Sequence, residues 1–375
     1  MYRLIVIYTV CVSILCYVHM IMALSSNQIS SSFIDSTSSK EDGRMTRSKS
    51  IATICRSYSG LTKKQRQICR RSPDVTAAAI KGIDNAVLEC QHQMVNRRWN
   101  CSSLVTRSGN PFKAKIMKRG KDFFSLIGFS ETAFVRAIIS AGILLQVTRS
   151  CSMGSLRSCG CDTSYSGRGN GFEWGGCSHD TGYGEKFCAE FVDSMDKARD
   201  SRSRMNVHNN KAGRLVINDT KKQCKCHGMS GSCEVMTCWQ QTPHYRDVAY
   251  KLLKKYNNAV EVRPRNSNNG QLEVVSNRVN SNSKGRNSPS PTDLIYLERS
   301  PDFCNPDSSV GSPGTKGRYC NRTSMDYDGC DSMCCGRGYN VSLKESIEWC
   351  NCTFHWCCFV KCRQCRTQEW VNQCK

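Results

Sequence analysis

CKCHGMSGSC, residues 224–233, holds one serine, Ser230, between Gly228 and Gly231, with cysteines placed almost symmetrically on either side. Joining Cys226 to Cys233 and Cys224 to Cys238 folds the chain back near position 230, as a hairpin stapled twice. A disulfide needs its two Cβ atoms about 4 Å apart, and facing positions of an antiparallel pair supply that spacing. Ser230 then sits at the tip, with its backbone freed by glycine and its hydroxyl held away from any core. A serine placed this way suits presentation and modification by another enzyme better than catalysis.

The same symmetry recurs in CNCTFHWCCFVKCRQC, residues 350–365. The pairs Cys350–Cys365, Cys352–Cys362 and Cys357–Cys358 share one centre, as residues facing each other along a hairpin must. The innermost pair is vicinal and would close a tight ring at the tip, with Trp356, Phe359 and Val360 beside it.

Arg3 precedes an apolar run from Leu4 to Val18, and Ala23 offers a small residue for cleavage, so residues 1–23 read as a secretory signal. The later run from Ile138 to Val147 is shorter than the ~20 residues of a membrane helix. Removing Cys11 and Cys16 with the signal leaves 25 of the 27 cysteines in an oxidising compartment. An odd count leaves one thiol over. Cys188, in a helical pattern with Phe187, Phe191, Val192 and Met195, has no mirrored partner and is the candidate. Adjacent pairs such as Cys334 with Cys335 suit disulfides better than tetrahedral zinc, so no metal site is expected.

The chain carries 53 Lys and Arg against 31 Asp and Glu, a net charge of +22. Export argues against nucleic acid as the partner. It favours sulfated glycans such as heparan sulfate and anionic membrane surfaces, met by Lys63, Lys64, Arg66, Arg70 and Arg71 or by Lys113, Lys115, Lys118, Arg119 and Lys121.

Residues 24–50, rich in Ser, Thr and charge, read as a flexible leader. Ser72 and Pro73 start a helix whose face is Val75, Ala79, Ile83, Val87, Cys90 and Met94. Ser130 opens a second, apolar on all sides and therefore central. A third is expected from about Glu185 to His208, and a fourth carries Val248, Leu252 and Tyr256. The glycine-rich SYSGRGNGFEWGG, bracketed by Cys161 and Cys177, reads as a stapled surface loop. It lacks the lysine of a phosphate loop. Residues 263–292 turn to Asn, Ser, Arg and Pro and read as a linker. The cysteine-dense remainder implies short hairpins in place of a layered core.

Five stretches in order resemble the Wnt family of secreted, lipid-modified signalling proteins: CQHQMVNRRWNC at 90–101, VTRSCSMGSLRSCGCD at 147–162, MNVHNNKAGR at 205–214, CKCHGMSGSC, and the C-terminal cysteine run. The likeness covers nearly everything from Cys55 to Lys375. It implies an α+β, disulfide-rich fold: an α-helical N-terminal domain over 51–262 bearing the hairpin 224–238, then a cysteine-rich domain of β-hairpins over 293–375 bearing the finger 350–365. It further implies palmitoleate esterified to Ser230 by the acyltransferase Porcupine, and no other cofactor. Both fingers would engage the cysteine-rich ectodomain of a Frizzled receptor. Met229 and acylated Ser230 form one contact, and Trp356, Cys357, Cys358, Phe359 and Val360 the other, activating Wnt signalling in development. A lipoprotein-receptor-related co-receptor joins some such complexes. The lipid implies contact with membrane surfaces, and the family's range includes the extracellular matrix. The resemblance also implies the pairs Cys55–Cys69, Cys90–Cys101, Cys151–Cys159, Cys161–Cys177, Cys304–Cys335, Cys320–Cys330 and Cys334–Cys374. The family commonly places a small polar residue where Cys188 stands, in keeping with an unpaired thiol.

Two other classes compete. A serine hydrolase would set Ser230 in G-x-S-x-G at a strand-to-helix turn, but here glycine follows the serine directly and His227 lies too near in sequence for triad geometry. A secreted matrix or lipid-carrying protein would use the basic patches without a receptor. Sequons stand at Asn100, Asn218, Asn321, Asn340 and Asn351. Asn100 and Asn351 abut cysteines whose early pairing hides them, so Asn321 and Asn340 are the expected glycosylation sites.

Overall fold

An N-terminal group of helices is built from α1 (Lys63–Arg71), α2 (Pro73–Gln93), α3 (Ser130–Ser152), α4 (Thr181–Asp193), α5 (Ser201–Leu215) and α6 (Tyr245–Asn257). The computed structural model describes residues 55–56, 58, 61–105, 128–194, 196, 200–265, 271–275, 288–308, 311–356 and 359–375. The signal at 1–23, the leader at 24–50, the basic run from Lys113 to Lys121, Met195 and the pair Cys357–Cys358 lie outside the described residues. All described residues fall in one compact unit, Thr53–Lys375.

Helix α3 is the centre. Phe134, Val135, Ile138, Ile139, Ile143 and Leu144 are buried on all its sides, because a helix without a polar face must be surrounded by its neighbours. It is long and apolar enough to cross a membrane by length and composition. The apolar run from Ile138 to Val147 is only its middle: Glu131, Arg136 and Arg149 flank that run, and the helix continues through them. The same apolar surface is spent inside the fold. Helix α2 crosses α3 so closely at Gly82 and Gly142 that a Cβ on Gly82 would lie 2.6 Å from the Gly142 carbonyl oxygen. Tyr245 of α6 donates its hydroxyl to the Ile138 carbonyl at 2.7 Å.

Three local expectations are revised. Ser72 stands at the N-cap of α2 but makes no side-chain cap bond, the start being set by Pro73. Ser130 is the first helical residue of α3, with Phe129 at the cap. The helix expected over 185–208 is two helices, α4 and α5. The break follows from a buried polar seam: Asp193 pairs with Arg214 at 3.0 Å and Asp196 with Arg136 at 2.9 Å. Asn210 and Asn206 donate to the same two carboxylates. Asp200 then caps α5 through the Ser203 amide.

The sheets are small. Strands β1 (Arg168–Gly169), β2 (Phe172–Trp174), β3 (Lys221–Cys226) and β4 (Met236–Gln241) form one sheet in the order β1-β2-β4-β3. The glycine-rich loop thus contributes strands that brace the hairpin β3–β4. Within the stretch read as linker, β6 (Leu272–Val274) pairs with β5 (Val260–Pro264), which also pairs in parallel with β7 (Ile295–Tyr296). The few aliphatics of that stretch explain it: Val262 and Ile295 are buried with Met205, and Leu272 packs beside them. Asn209 completes the edge, its amide donating to the Ile295 carbonyl and accepting from the Ile295 amide, both at 2.9 Å.

The C-terminal part holds β8 (Tyr319–Cys320), the short α7 (Cys330–Met333), β9 (Tyr339–His355) and β10 (Phe359–Cys374). Short hairpins were expected, but β9 and β10 form one ribbon of 17 and 16 residues. Its base rests on a small core of Cys330, Met333, Cys334 and Cys374. Arg318 ties this part to the helices, donating to the carbonyls of Val95, Arg97 and Arg98 at 2.6–2.7 Å.

Among the described cysteines Cys188 alone carries a free thiol. It is fully buried, and its Sγ donates to the Ser140 carbonyl at 3.2 Å. Burial pushes the thiol up to about 11, with Arg214 opposing the shift. Native protein should therefore leave Cys188 unmodified by maleimide at pH 7.5 and take up one equivalent there after denaturation. Rapid native labelling would contradict its packing. Gly82→Ala should lower the thermal midpoint of the secreted protein, since an added methyl in a closed helix crossing costs about 1–3 kcal/mol. An unchanged midpoint would mean that the crossing is looser than described.

Candidate functional site

Two exposed hairpins concentrate the candidate residues. In the first, β3 and β4 pair with Cys224 facing Cys238 and Cys226 facing Met236. Disulfides join Cys224 to Cys238 and Cys226 to Cys233, with Cα atoms 4.0 and 4.5 Å apart. Past the strands the chain closes through Gly228, whose amide donates to the Ser232 carbonyl at 2.8 Å. A Cβ on Gly228 would lie 2.6 Å from that oxygen, so the narrow neck requires glycine.

Met229, Ser230 and Gly231 form a single turn at the tip. Ser230 adopts φ 57 and ψ 24, a left-handed conformation that a side chain makes unfavourable by about 1–2 kcal/mol. Ser230 is exposed, and Met229 beside it is 88 % exposed. His227 turns elsewhere, with Nε2 2.6 Å from the Thr237 hydroxyl. The tip therefore offers a hydroxyl with an apolar neighbour.

The second hairpin is the β9–β10 ribbon, cross-linked by Cys350–Cys365 and Cys352–Cys362. Trp356 at its tip is 94 % exposed, and Phe359 and Val360 are exposed too. These three do not share a face. Val360 stands opposite Phe354, whereas Phe359 stands opposite His355 and stacks on it with ring centroids 4.9 Å apart. Successive side chains alternate between the two faces of a ribbon. Phe354, itself exposed, is a tip residue that the sequence reading passed over, although it precedes Trp356 by two positions.

A bulge lies below the tip. The register passes from Cys350 facing Arg363 to Thr353 facing Lys361, so Asn351 and Cys352 together oppose Cys362. Asn351 takes φ 48, a left-handed turn that asparagine tolerates.

Among the described residues the remaining disulfides are Cys55–Cys69, Cys90–Cys101, Cys151–Cys159, Cys161–Cys177, Cys304–Cys335, Cys320–Cys330 and Cys334–Cys374. The sulfurs of Cys320, Cys334 and Cys374 lie within 4.8 Å of one another. All three are oxidised in disulfides, which have no thiolate to offer a metal. Lys63, Lys64, Arg66, Arg70 and Arg71 are exposed on α1, where Arg71 pairs with Glu190 at 2.6 Å. Asn218, Asn321, Asn340 and Asn351 are exposed, and Asn100 is half-buried.

A helical body extended by cystine-braced strands, with two exposed apolar tips, defines a protein that works by presenting surfaces to other molecules. A family model described as the Wnt family matches residues 57–375, and the chain belongs to that family. Wnt family proteins are secreted signalling ligands rather than enzymes. Among solved structures, a chain of human WLS in complex with WNT8A matches with a TM-score of 0.55 and 34 % identity, over 80 % of this chain and 94 % of that one. The N-terminal domain and linker of Drosophila WntD matches with a TM-score of 0.40 and 19 % identity, over 61 % of this chain and 98 % of that one.

The bulge yields a stability test. Asn351→Gly should leave hydrogen exchange of the ribbon amides unchanged, whereas Asn351→Val should destabilise the ribbon by about 1–2 kcal/mol through left-handed strain. Equal protection in both variants would remove the conformational reason for asparagine.

Proposed function

We propose that this chain is a lipid-modified Wnt ligand that carries palmitoleate on Ser230, attached by Porcupine, and grips a Frizzled-type ectodomain with both hairpin tips. The observation that carries this reading is an exposed serine in a left-handed turn beyond two disulfides, a position where an added acyl chain meets no steric bar.

The energetics favour two contacts. Burying ten or more methylenes contributes on the order of 8–10 kcal/mol. Association itself costs about 4–15 kcal/mol, so a lipid contact by itself is marginal. It also cannot distinguish a receptor from any other apolar sink. A second contact through Trp356 and Phe359 on the same body adds affinity and narrows the choice of partner. A lipoprotein-receptor-related co-receptor completes the proposed signalling complex in development. WLS, the partner of WNT8A in the neighbouring structure, is proposed as a partner of this chain as well. The exposed basic residues of α1 support retention on heparan sulfate and in the extracellular matrix. Asn321 and Asn340 are proposed to carry N-glycans.

Metabolic labelling with an alkynyl fatty acid should mark the parent chain and not Ser230→Ala. Receptor ectodomain binding should weaken at least tenfold in Ser230→Ala. It should weaken by ~30-fold or more in Trp356→Ala/Phe359→Ala, the range of an interface hot spot. Full acyl labelling of Ser230→Ala, or undiminished binding by either variant, would sink the two-finger reading.

A further inference from the structure

The β9–β10 ribbon is amphipathic along its whole length. Val341, Leu343, Ile347 and Trp349 stand at alternate positions of β9, and Trp370 faces Leu343 from β10. Directly opposed residues share a face, so these five form one strip, each 44–69 % exposed. The other face carries Lys344, Glu348, Lys361, Arg363 and Glu369.

The bulge preserves this division. Simple alternation from Trp349 would send Phe354 to the charged face. The extra residue at Asn351–Cys352 shifts the phase, so Phe354 and Val360 join the apolar strip. Phe359 falls on the opposite side.

We propose that this strip is a self-association surface, on which the ribbons of two copies of this chain stack face to face. Three observations select a second copy. A two-stranded ribbon needs a covering layer on its apolar face, and the described residues place none over this one, as its exposure shows. An identical ribbon gives the missing layer of a sandwich through an isologous contact. Second, with aromatic side chains of roughly 150–250 Å² each, the seven apolar residues offer on the order of 700 Å², near the ~800 Å² that each partner gives a standard interface.

Charge is the third. The chain bears +22 overall, a load that keeps copies apart across most of its surface. The strip is an exception, since Glu345 and Arg366 are its only charged members by register and they cancel. Trp356 at the tip and Phe359 on the far face remain free in the stacked pair and available to a receptor, whereas Val360 is covered by the second copy.

The inference makes no use of the acyl group, so it is tested on the secreted full chain carrying Ser230→Ala. Sedimentation equilibrium over about 0.1–50 μM should show a dimer. In that background Trp349→Glu/Trp370→Glu should halve the mass, and the milder Leu343→Lys/Ile347→Lys should do the same. Thr367→Glu, which puts a charge on the opposite face, should leave the dimer intact. Near-ultraviolet circular dichroism and export level establish that each variant is folded, and a variant that fails this check leaves the decision to the other. A parent that stays monomeric throughout, or a dimer indifferent to the strip variants, overturns the proposal without touching the acylation reading. So does a dimer that Thr367→Glu dissolves equally.

Discussion

A strand pair standing in water has little besides its own backbone hydrogen bonds to hold its register, and both exposed hairpins of this chain meet that constraint with cystines. The Cys224–Cys238 bond spans 14 residues, a loop whose closure removes about 3 kcal/mol of entropy from the unfolded chain. Cys226–Cys233 then fixes the last turn before Ser230. Without these bonds the glycines at 228 and 231 would leave the tip a floppy loop. With them the same glycines permit a narrow neck and a left-handed serine. The covalent links replace a hydrophobic core at a tip whose residues stay exposed.

The body behind the hairpins is stabilised in the ordinary way, by burial around α3, and its exceptions are informative. Asp193, Asp196, Arg136 and Arg214 form two ion pairs inside the helical layer. Buried pairs of this kind contribute less to stability than their Coulomb attraction suggests, because desolvation opposes it. Here they set the path of the chain between α4 and α5, turning it where helical propensity alone would have run on. Cys188 sits against the same seam, where burial outweighs the pull of Arg214 and keeps the thiol neutral.

The two parts of the chain are joined by polar contacts to backbone atoms. Arg318 reaches three carbonyls of the Val95–Arg98 segment, while Arg98 answers with its Nε on the Ser332 carbonyl at 3.0 Å. Guanidinium groups suit this task because five donors in a fixed plane can satisfy several carbonyls at once. The ribbon base is held to the body through this collar and the Cys334–Cys374 bond beside it. The proposed roles of the two tips both rely on that attachment, since two contacts reinforce each other only when one body carries them.

Much was legible in the residues themselves. Mirrored cysteine spacing placed Ser230 at a tip, because a disulfide tolerates only a narrow Cα separation and a hairpin brings facing residues within it. The all-round apolar pattern of α3 declared its burial; the odd cysteine count implied one free thiol, and the lack of a mirrored partner pointed to Cys188. Helix α1 escaped notice, its short length and five cations obscuring a capping box between Thr62 and Gln65. Only the tertiary structure decided the break between α4 and α5, the strand at Leu272–Val274, and the division of the ribbon into two faces. Each depends on contacts distant in sequence: carboxylates finding arginines on other helices, valines finding Met205, and a bulge whose phase shift exists only relative to the opposing strand. Local spacing fixes what neighbouring residues can do, whereas the partners that make one arrangement favourable come from elsewhere in the chain.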